Sequence, residues 1–475
     1  MTDTAPSPSA SSARATADGG TRPVDAAHWA ERLTALAVEH GVPGASLGIL
    51  AGGEITEAAT GLANAGARIE ATTDTVWQIG SISKVWTATV AMMLVDEGVL
   101  DLDTPVASVL PGLRLGTPEL TEHVTLRHLL SHTSGIDGDF FLDTGRGDDC
   151  LERYTERLAD AAANHPVGAT MSYCNAGFSL TGRILEHVTG VQWDRLMRER
   201  LYEPLGLTRT ATLPEDVLRH RAAAGHIGEP PVVAPHWMLM RSAGPAGLIC
   251  STAREVLAFA RLHLDGGLAP DGTRLLSEDA AQAMRTSQVA LPDTHTLGDA
   301  WGLGWILMEW SGRRMYGHDG NTIGQSAFLR VLPDTGLAVC LLTNGGDTLS
   351  LYQDLYGEIF TELAGVEPPR LPEPAAGPVP DDPSRYVGVY ERASSRMEVF
   401  ERDGDLVLRS VVTGELAEMV SEEERSQEAP LRAFEPGVFL VQRPGVGGWW
   451  PVTFYTLDDG SQYVHHGVRA TPKVG

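Results

Sequence analysis

Cysteine is scarce in this chain, with four in 475 residues. Cys150, Cys174, Cys250 and Cys340 lie far apart, with no CxxC pair and no Cys/His ligand spacing, so neither a zinc site nor a disulfide framework is expected. They read as reduced thiols. Positive charge is also short: 36 Lys and Arg stand against 62 Asp and Glu, for a formal charge of -26. Affinity for nucleic acid comes mainly from Lys and Arg neutralising phosphates, so nucleic acid is excluded as a partner and an anionic membrane is disfavoured. No apolar run is long and uncharged enough to span a bilayer. The opening "MTDTAPSPSASSARATADGGTRPVD" lacks the basic start and apolar stretch of a secretory leader. It reads as a flexible polar tail, residues 1–24, and the cytoplasm is the expected location. Metal motifs are missing too. His128, His132, His465 and His466 come without HExxH or a carboxylate at ligand spacing and are read as structural or surface histidines. The spaced glycines of "GHDGNTIG" precede no helical pattern, so a phosphate loop is not expected. No cofactor is expected.

What is present is enough apolar material, 43% of residues, for two domains with their own cores. "DAAHWAERLTALAVEHG" has helical spacing and stops at Gly41, and "GASLGILAGGEITEAATG" reads as two strands around a Gly-Gly turn. From Ser81 to about Asp265 the pattern is largely helical. From about Gly302, "RRMYGHDG", "QSAFLRVLPDTG" and "LAVCLLTNGG" read as consecutive antiparallel strands. Two strands near the start and three near the end predict one antiparallel sheet closed by segments from both ends, with helices covering it and a helical subdomain inserted. This α/β domain is placed at residues 25–366. "EPPRLPEPAAGPVPDDP" is too rich in proline for helix or inner strand and reads as a stiff linker, 367–383. Beyond it, 384–475 alternates apolar and polar residues around Asp-Gly and Gly turns, the pattern of a small all-β meander or barrel.

One stretch raises a chemical question. In "GSISKVWTATVAMML" everything after Lys84 is apolar or small all round the helix, so Lys84 stands at the mouth of a helix buried on every side. A buried ammonium costs several kcal/mol unless it is paired or neutral. Ser81 lies three residues earlier, on the same face of the first turn. A desolvated lysine whose pKa falls from about 10.4 toward neutrality can take the proton of such a serine and make it a nucleophile. The free amides of the helix N-terminus favour negative charge developing beside it. SxxK by itself is frequent by chance, and a serine cap with an outward-snorkelling lysine is the competing reading.

Further segments fall in order along the chain. "SYCN" supplies Tyr173 and Asn175, "GHDG" supplies His318, Asp319 and Gly320, and "LRHLLSHTSGI" and "GPAGLICST" read as signature segments. With these motifs, residues of roughly 30 to 365 resemble the serine beta-lactamase and penicillin-binding protein superfamily, especially its class C and DD-peptidase branch. The resemblance implies a beta-lactamase-like fold with Ser81 as acylated nucleophile, Lys84 lowering the pKa of its neighbours and Tyr173 as base. It also implies that Asn175 orients Lys84 and binds a substrate carbonyl, with Gly320 and Asn321 lining the substrate site. The oxyanion hole would be the backbone amides of Ser81 and Asn321, donors commonly worth about 3 kcal/mol each. His318 stands where the family has lysine or histidine; it carries less charge, so a hydrogen bond toward Tyr173 is expected of it rather than tight capture of a carboxylate. Cys174 replaces the usual serine of the Tyr-Ser-Asn element and reads as a small packed thiol rather than a second nucleophile. Arg469 is one of few cations near the C-terminus; it either solvates a barrel edge or lies against the cleft to hold a substrate carbonyl or carboxylate.

The acyl donor is narrowed by the second domain. A hydrolase domain followed by a C-terminal lipocalin-like barrel resembles the penicillin-binding-protein-type thioesterases of nonribosomal peptide biosynthesis. That resemblance implies a peptidyl thioester, presented by a peptidyl carrier protein, released head-to-tail as a macrocycle with a D-residue at the acylating end. The strongly acidic chain fits an acidic carrier poorly unless local basic patches receive it. A cytoplasmic esterase, D-aminopeptidase or amidase of the same superfamily is the enzymatic alternative. A catalytically silent peptide-binding relative is the non-enzymatic one, and the intact Ser81, Lys84 and Tyr173 weigh against it.

Overall fold

Asp25 accepts hydrogen bonds from the amides of Ala27 and His28 (3.0 and 3.1 Å), which caps helix α1 (Ala26–Glu39). Trp29, Leu33, Leu36 and Ala37 form the buried face of α1 at helical spacing. This computed structural model describes residues 24–475 apart from 378, 380–381, 415–416, 418–421 and 444–445. The expected tail, but for Val24, lies outside the described residues, as do positions 378, 380 and 381 of the expected linker.

Strands β1 (Gly44–Ala51), β2 (Glu54–Asn64) and β3 (Ile69–Glu70) are followed, after the helical insertion, by β4 (Val289–Ala290) and β5 (Ala300–Trp301). Then come β6 (Ile306–Trp310), β7 (Arg313–Asn321), β8 (Ser326–Leu332) and β9 (Leu337–Thr343). They form one antiparallel sheet in the order β3-β2-β1-β9-β8-β7-β6-β5-β4. The pairing of β1 with β9, Leu47 opposite Leu341, closes the sheet from both ends of the domain as the strand pattern predicts. Every residue of β1 and β9 is buried, the mark of central strands covered on both faces. On one face Leu47, Ile49 and Leu341 pack with α1 and with Tyr356 and Phe360 of α6 (Thr348–Ala364). On the other, Leu50, Leu329 and Leu342 join a core shared with α2 (Ser83–Asp96), α4 (Asn175–Thr189) and α5 (Ala253–Leu264). Short α3 (Leu126–Leu130) lies between α2 and α4 in the sequence, and its Leu126, Leu129 and Leu130 enter that same core.

The C-terminal region, read from its alternation as a meander or barrel and from the resemblance as a lipocalin-like barrel, is all-β: its described strands form two antiparallel sheets, joined at one edge where the Val389 amide donates to the Gly475 carbonyl (2.6 Å), and no closed barrel is seen among the described residues. One comprises β10 (Gly388–Arg392), β11 (Ser395–Arg402), β12 (Asp405–Val412) and β13 (Ser426–Pro430). The other comprises β14 (Arg432–Glu435), β15 (Val438–Arg443), β16 (Val446–Thr456), β17 (Gln462–His466) and β18 (Arg469–Pro472). Only Leu431 separates β13 from β14, too little for a hairpin, and Pro430 has no N–H to donate. The chain therefore passes from one sheet to the other at a corner, with Tyr390, Met397, Leu408, Phe439, Val452 and Phe454 packed between them.

This β region grips the larger domain at the segment leading into α4. The Tyr173 amide donates to the Val468 carbonyl (3.0 Å), the Ala470 amide to Ser172 Oγ (3.2 Å), and the Thr170 and Tyr455 hydroxyls bond to each other (3.1 Å).

Candidate active site

Ser81 lies in a single 3-10 turn, Gly80–Ile82, that runs directly into α2. Residues Ser83 to Leu94 of α2 are all buried, including Lys84. Of the two readings of SxxK, Lys84 does not snorkel outward: its amine donates to the Ala246 carbonyl (2.7 Å) and shares a hydrogen bond with Ser81 Oγ (3.0 Å). Burial, and then the charge of Arg469, hold the Lys84 pKa well below its ordinary value. A neutral amine bonded to Ala246 still has a lone pair for the Ser81 hydroxyl, whose residue is the half-buried, accessible member of the pair.

Two glycines bring the Ser81 turn against β7. Gly80 has φ +52°, and a Cβ there would stand 2.6 Å from the Asn321 amide nitrogen. A Cβ on Gly320 would stand 1.9 Å from the Ile79 carbonyl oxygen and 3.0 Å from the Ser81 amide nitrogen. The backbone amides of Ser81 and Asn321 thus come from two segments in close approach, which is what an oxyanion-binding pair requires.

Tyr173 arrives on the strand-like segment before α4. Its buried ring is stacked on His132 (centroids 4.3 Å apart), and the Lys84 amine lies 4.8 Å from its centroid. The Arg469 guanidinium lies 4.9 Å from the same centroid. Burial pushes the Tyr173 phenol above its ordinary pKa, while a hydrogen bond with Ser81 and the charge of Arg469 act against that rise. Burial thus works against the ammonium form at Lys84 and against the phenolate form at Tyr173.

His318 sits on β7 opposite Leu329, within the same crevice. The expected hydrogen bond to Tyr173 is absent among the described residues: the ring centroids are 6.4 Å apart, Nδ1 is bonded to the Asp319 carbonyl (2.6 Å) and Nε2 has no partner. A carbonyl only accepts, so Nδ1 carries the proton and Nε2 presents a lone pair. Burial, with the nearby Lys84, pushes His318 down to about 3, so it is neutral at physiological pH. Asp319 turns to the far side and is bonded to the buried Arg330.

Asn175 is the first residue of α4, its amide donating to the Gly138 carbonyl (3.1 Å). It was expected to orient Lys84, but the described hydrogen bonds of Lys84 go to Ser81 and Ala246, and none joins it to Asn175. Cys174 is the packed thiol expected, and it also caps α4, its Sγ accepting from the Gly177 amide (3.2 Å). Burial raises its pKa to about 11, which keeps it a thiol. Arg469 is not at a solvated edge: it reaches the site and donates to Asp139 Oδ1 (2.7 Å).

Four participants were not singled out as site residues by the sequence reading. Ala246 lies in the "GPAGLICST" segment and His132 in "LRHLLSHTSGI", so the signature segments held them without showing their roles. His132 has φ +59° and accepts from the Cys174 amide through Nδ1 (2.9 Å), locking the ring under Tyr173. Asp139 and Arg392 carry no motif; they meet through the docking of the β region, at 2.8 Å. Elsewhere, His128 takes part in the capping box that starts α3, and His466 bonds to the Pro451 carbonyl. His465 is buried in the β region. All four cysteines are buried and free. Among the described residues no helix is long and apolar enough to cross a membrane.

Comparison with known proteins agrees with this geometry. The chain is 49% identical over 375 residues to penicillin-binding protein 4 of Amycolatopsis lactamdurans, covering 78% of this chain and 98% of that protein. The crystal structure of SurE superposes with a TM-score of 0.77 at 29% identity, covering 94% of this chain and 99% of SurE, and a structure of SurE with D-Leu gives 0.75. The D-amino acid amidase of Ochrobactrum anthropi SV3, complexed with L-phenylalanine amide, gives 0.56 at 25% identity over 67% of this chain and 92% of the amidase. The model of the Beta-lactamase family matches residues 26–360, the stretch that carries Ser81, Lys84, Tyr173 and His318, and the chain belongs to that family.

Proposed function

We propose that this chain is a serine acyl-enzyme catalyst that releases a peptidyl thioester by head-to-tail macrocyclisation. The observation that carries the acyl-enzyme chemistry is the 3.0 Å hydrogen bond between Ser81 Oγ and a fully buried Lys84 amine. Ser81 Oγ attacks the thioester carbonyl and passes its proton to Lys84 as the new C–O bond forms. The oxyanion is held by the Ser81 and Asn321 amides. The C–S bond then breaks, the neutral Tyr173 phenol gives its proton to the leaving sulfur, and Lys84 returns a proton to Tyr173. In the second half the peptide's own amine attacks the acyl carbon, a C–N bond forms, the C–O bond breaks, and Ser81 recovers the proton the amine loses. Asn175, Gly320 and Arg469 line the path of the substrate chain.

The cyclase outcome is supported by the β region's place beside the site and by similarity to SurE along nearly the whole chain, 94% of it, rather than along the hydrolase domain alone. A D-configured acyl residue is supported by the SurE structure with D-Leu. The likeness to a D-amino acid amidase favours a second reading, hydrolysis of D-amino amides or simple esters. A peptidyl thioester surrogate ending in a D-residue separates them. Cyclic product from the wild type and none from Ser81→Ala is expected. Linear acid alone, with fast turnover of D-amino amides, overturns the cyclase reading in favour of the hydrolase. No covalent adduct on Ser81 with a fluorophosphonate and no turnover of any activated ester overturns both in favour of a binding protein.

A further inference from the structure

Behind Tyr173 lies a cluster of four charges drawn from two parts of the chain. Asp139, its side chain 9% exposed, receives Arg469 on Oδ1 (2.7 Å), Arg392 on Oδ2 (2.8 Å) and the Ser394 hydroxyl (3.3 Å). Asp137 lies 3.9 Å from Arg392 and accepts the Asp139 amide (2.9 Å). With all four ionised, two carboxylates and two guanidiniums cancel, burial raising the Asp137 pKa while Arg392 and Arg469 pull it down, and the member that faces the active site is Arg469, 4.9 Å from the Tyr173 ring centroid. In a buried cluster of zero sum, neutralising one member leaves a full charge that water screens poorly. The sign of that charge depends on which member is neutralised.

We infer that the Asp139–Arg469 pair is a positioning device for the reaction, in which the β region supplies the cation and the loop after α3 the counter-charge that together set the field at Lys84 and Tyr173. The inference rests on the acyl-enzyme reading above. Arg469 disfavours the ammonium form of Lys84 and favours the ionised form of Tyr173; Asp139 does the reverse to Lys84. Burial works to raise Asp139, yet the two guanidiniums hold it at about 2, so it is a permanent anion. The other groups around Tyr173 add little fixed charge. His132 and His318 are buried and neutral, Cys174 stays a thiol, and Asp319 is matched by Arg330 on β8. His465, whose pKa Arg469 also lowers, is held neutral by burial.

The test is the pH dependence of Ser81 labelling by a fluorophosphonate, followed by intact mass, in the full-length wild type and in R469Q, R469K and D139N. The rate rises with pH as Lys84 loses its proton. R469Q leaves a net negative charge and moves the midpoint up by about one pH unit; D139N leaves a net positive charge and moves it down by about one unit. R469K keeps the charge and stays near the wild-type midpoint. A part played only in packing lowers the rate equally at every pH. Coincident midpoints in folded variants, or shifts of the same sign in R469Q and D139N, overturn the inference while leaving the acyl-enzyme reading intact. Should D139N fail to fold, the difference between R469Q and R469K decides the question. Absence of labelling in the wild type overturns the acyl-enzyme reading, and this inference with it.

Discussion

Gly320 meets Ile79 so closely that a Cβ on the glycine would stand 1.9 Å from the Ile79 carbonyl oxygen. That is inside any van der Waals contact, and the obstacle is backbone, which cannot swing aside. Gly320→Ala therefore forces β7 away from the nucleophile turn and separates the Ser81 and Asn321 amides. The expected result is a fall in Ser81 acylation of about 10²–10³, the effect of losing one oxyanion donor, at a stability cost of about 1–3 kcal/mol. Rapid-quench labelling and thermal melting check the two halves separately.

Lys84→Met replaces a buried amine by an apolar chain of similar length. Acylation of Ser81 is expected to fall below detection, because the group that receives the serine proton is gone. Stability is expected to change by less than about 1 kcal/mol, since relief of the desolvated amine is offset by the loss of the donor to the buried Ala246 carbonyl. A much lower melting temperature would mean that the amine holds the fold together rather than serving the reaction.

Tyr173→Phe keeps the ring that His132 stacks on and removes only the hydroxyl. With Lys84 as the resting base and Tyr173 as the donor to the leaving group, acylation is expected to slow by about 10²–10⁴ for a poor leaving group. A fluorophosphonate, whose fluoride leaves without a proton, should be affected much less. Equal slowing with both would assign Tyr173 the serine proton.

Burial holds His318, His263 and His465 at about 3 and His165 at about 4. Unfolded, each titrates near 6.5. Their folded pKa values lie below the unfolded one, so the unfolded chain binds more protons as pH falls below about 6.5. Stability is full above that pH and is lost progressively down to pH 3–4, at about 1.4 kcal/mol per pH unit for each proton taken up. Urea unfolding at pH 7 and pH 5 should show the loss, and His318→Asn should reduce its slope by about one proton.

Ser172→Ala removes the acceptor of the Ala470 amide, whose residue is buried on both sides of the junction. An orphaned buried N–H costs about 1–3 kcal/mol. The melting temperature should fall, and Ser81 labelling with it, because Tyr173 is the next residue.

The local parts of this architecture were legible in the sequence. Ser81 and Lys84 are neighbours on one helical turn, and their relation follows from an i, i+3 spacing in an apolar helix; the strands that close the sheet announce themselves by composition. What alternation does not encode is closure. The same apolar–polar pattern serves a barrel or two sheets, and where the chain passes from one sheet to the other, at Leu431 between β13 and β14, is not marked by it. The electrostatic setting of Tyr173 was likewise out of reach, because it depends first on how deeply the ring is buried and then on Arg469, which reaches it from far along the sequence. Asp139 and Arg392 are 253 residues apart in the sequence. No periodicity links them, and they become partners only when the β region docks.

The hydrogen bond from the Tyr173 amide to the Val468 carbonyl has a temporal side. During synthesis the residues bearing the serine, the amine and the phenol leave the ribosome hundreds of codons before the turn that clasps Tyr173. The unfinished polypeptide thus lacks the brace behind its phenol, and a late nonsense or frameshift lesion that spares every catalytic side chain would still silence the protein.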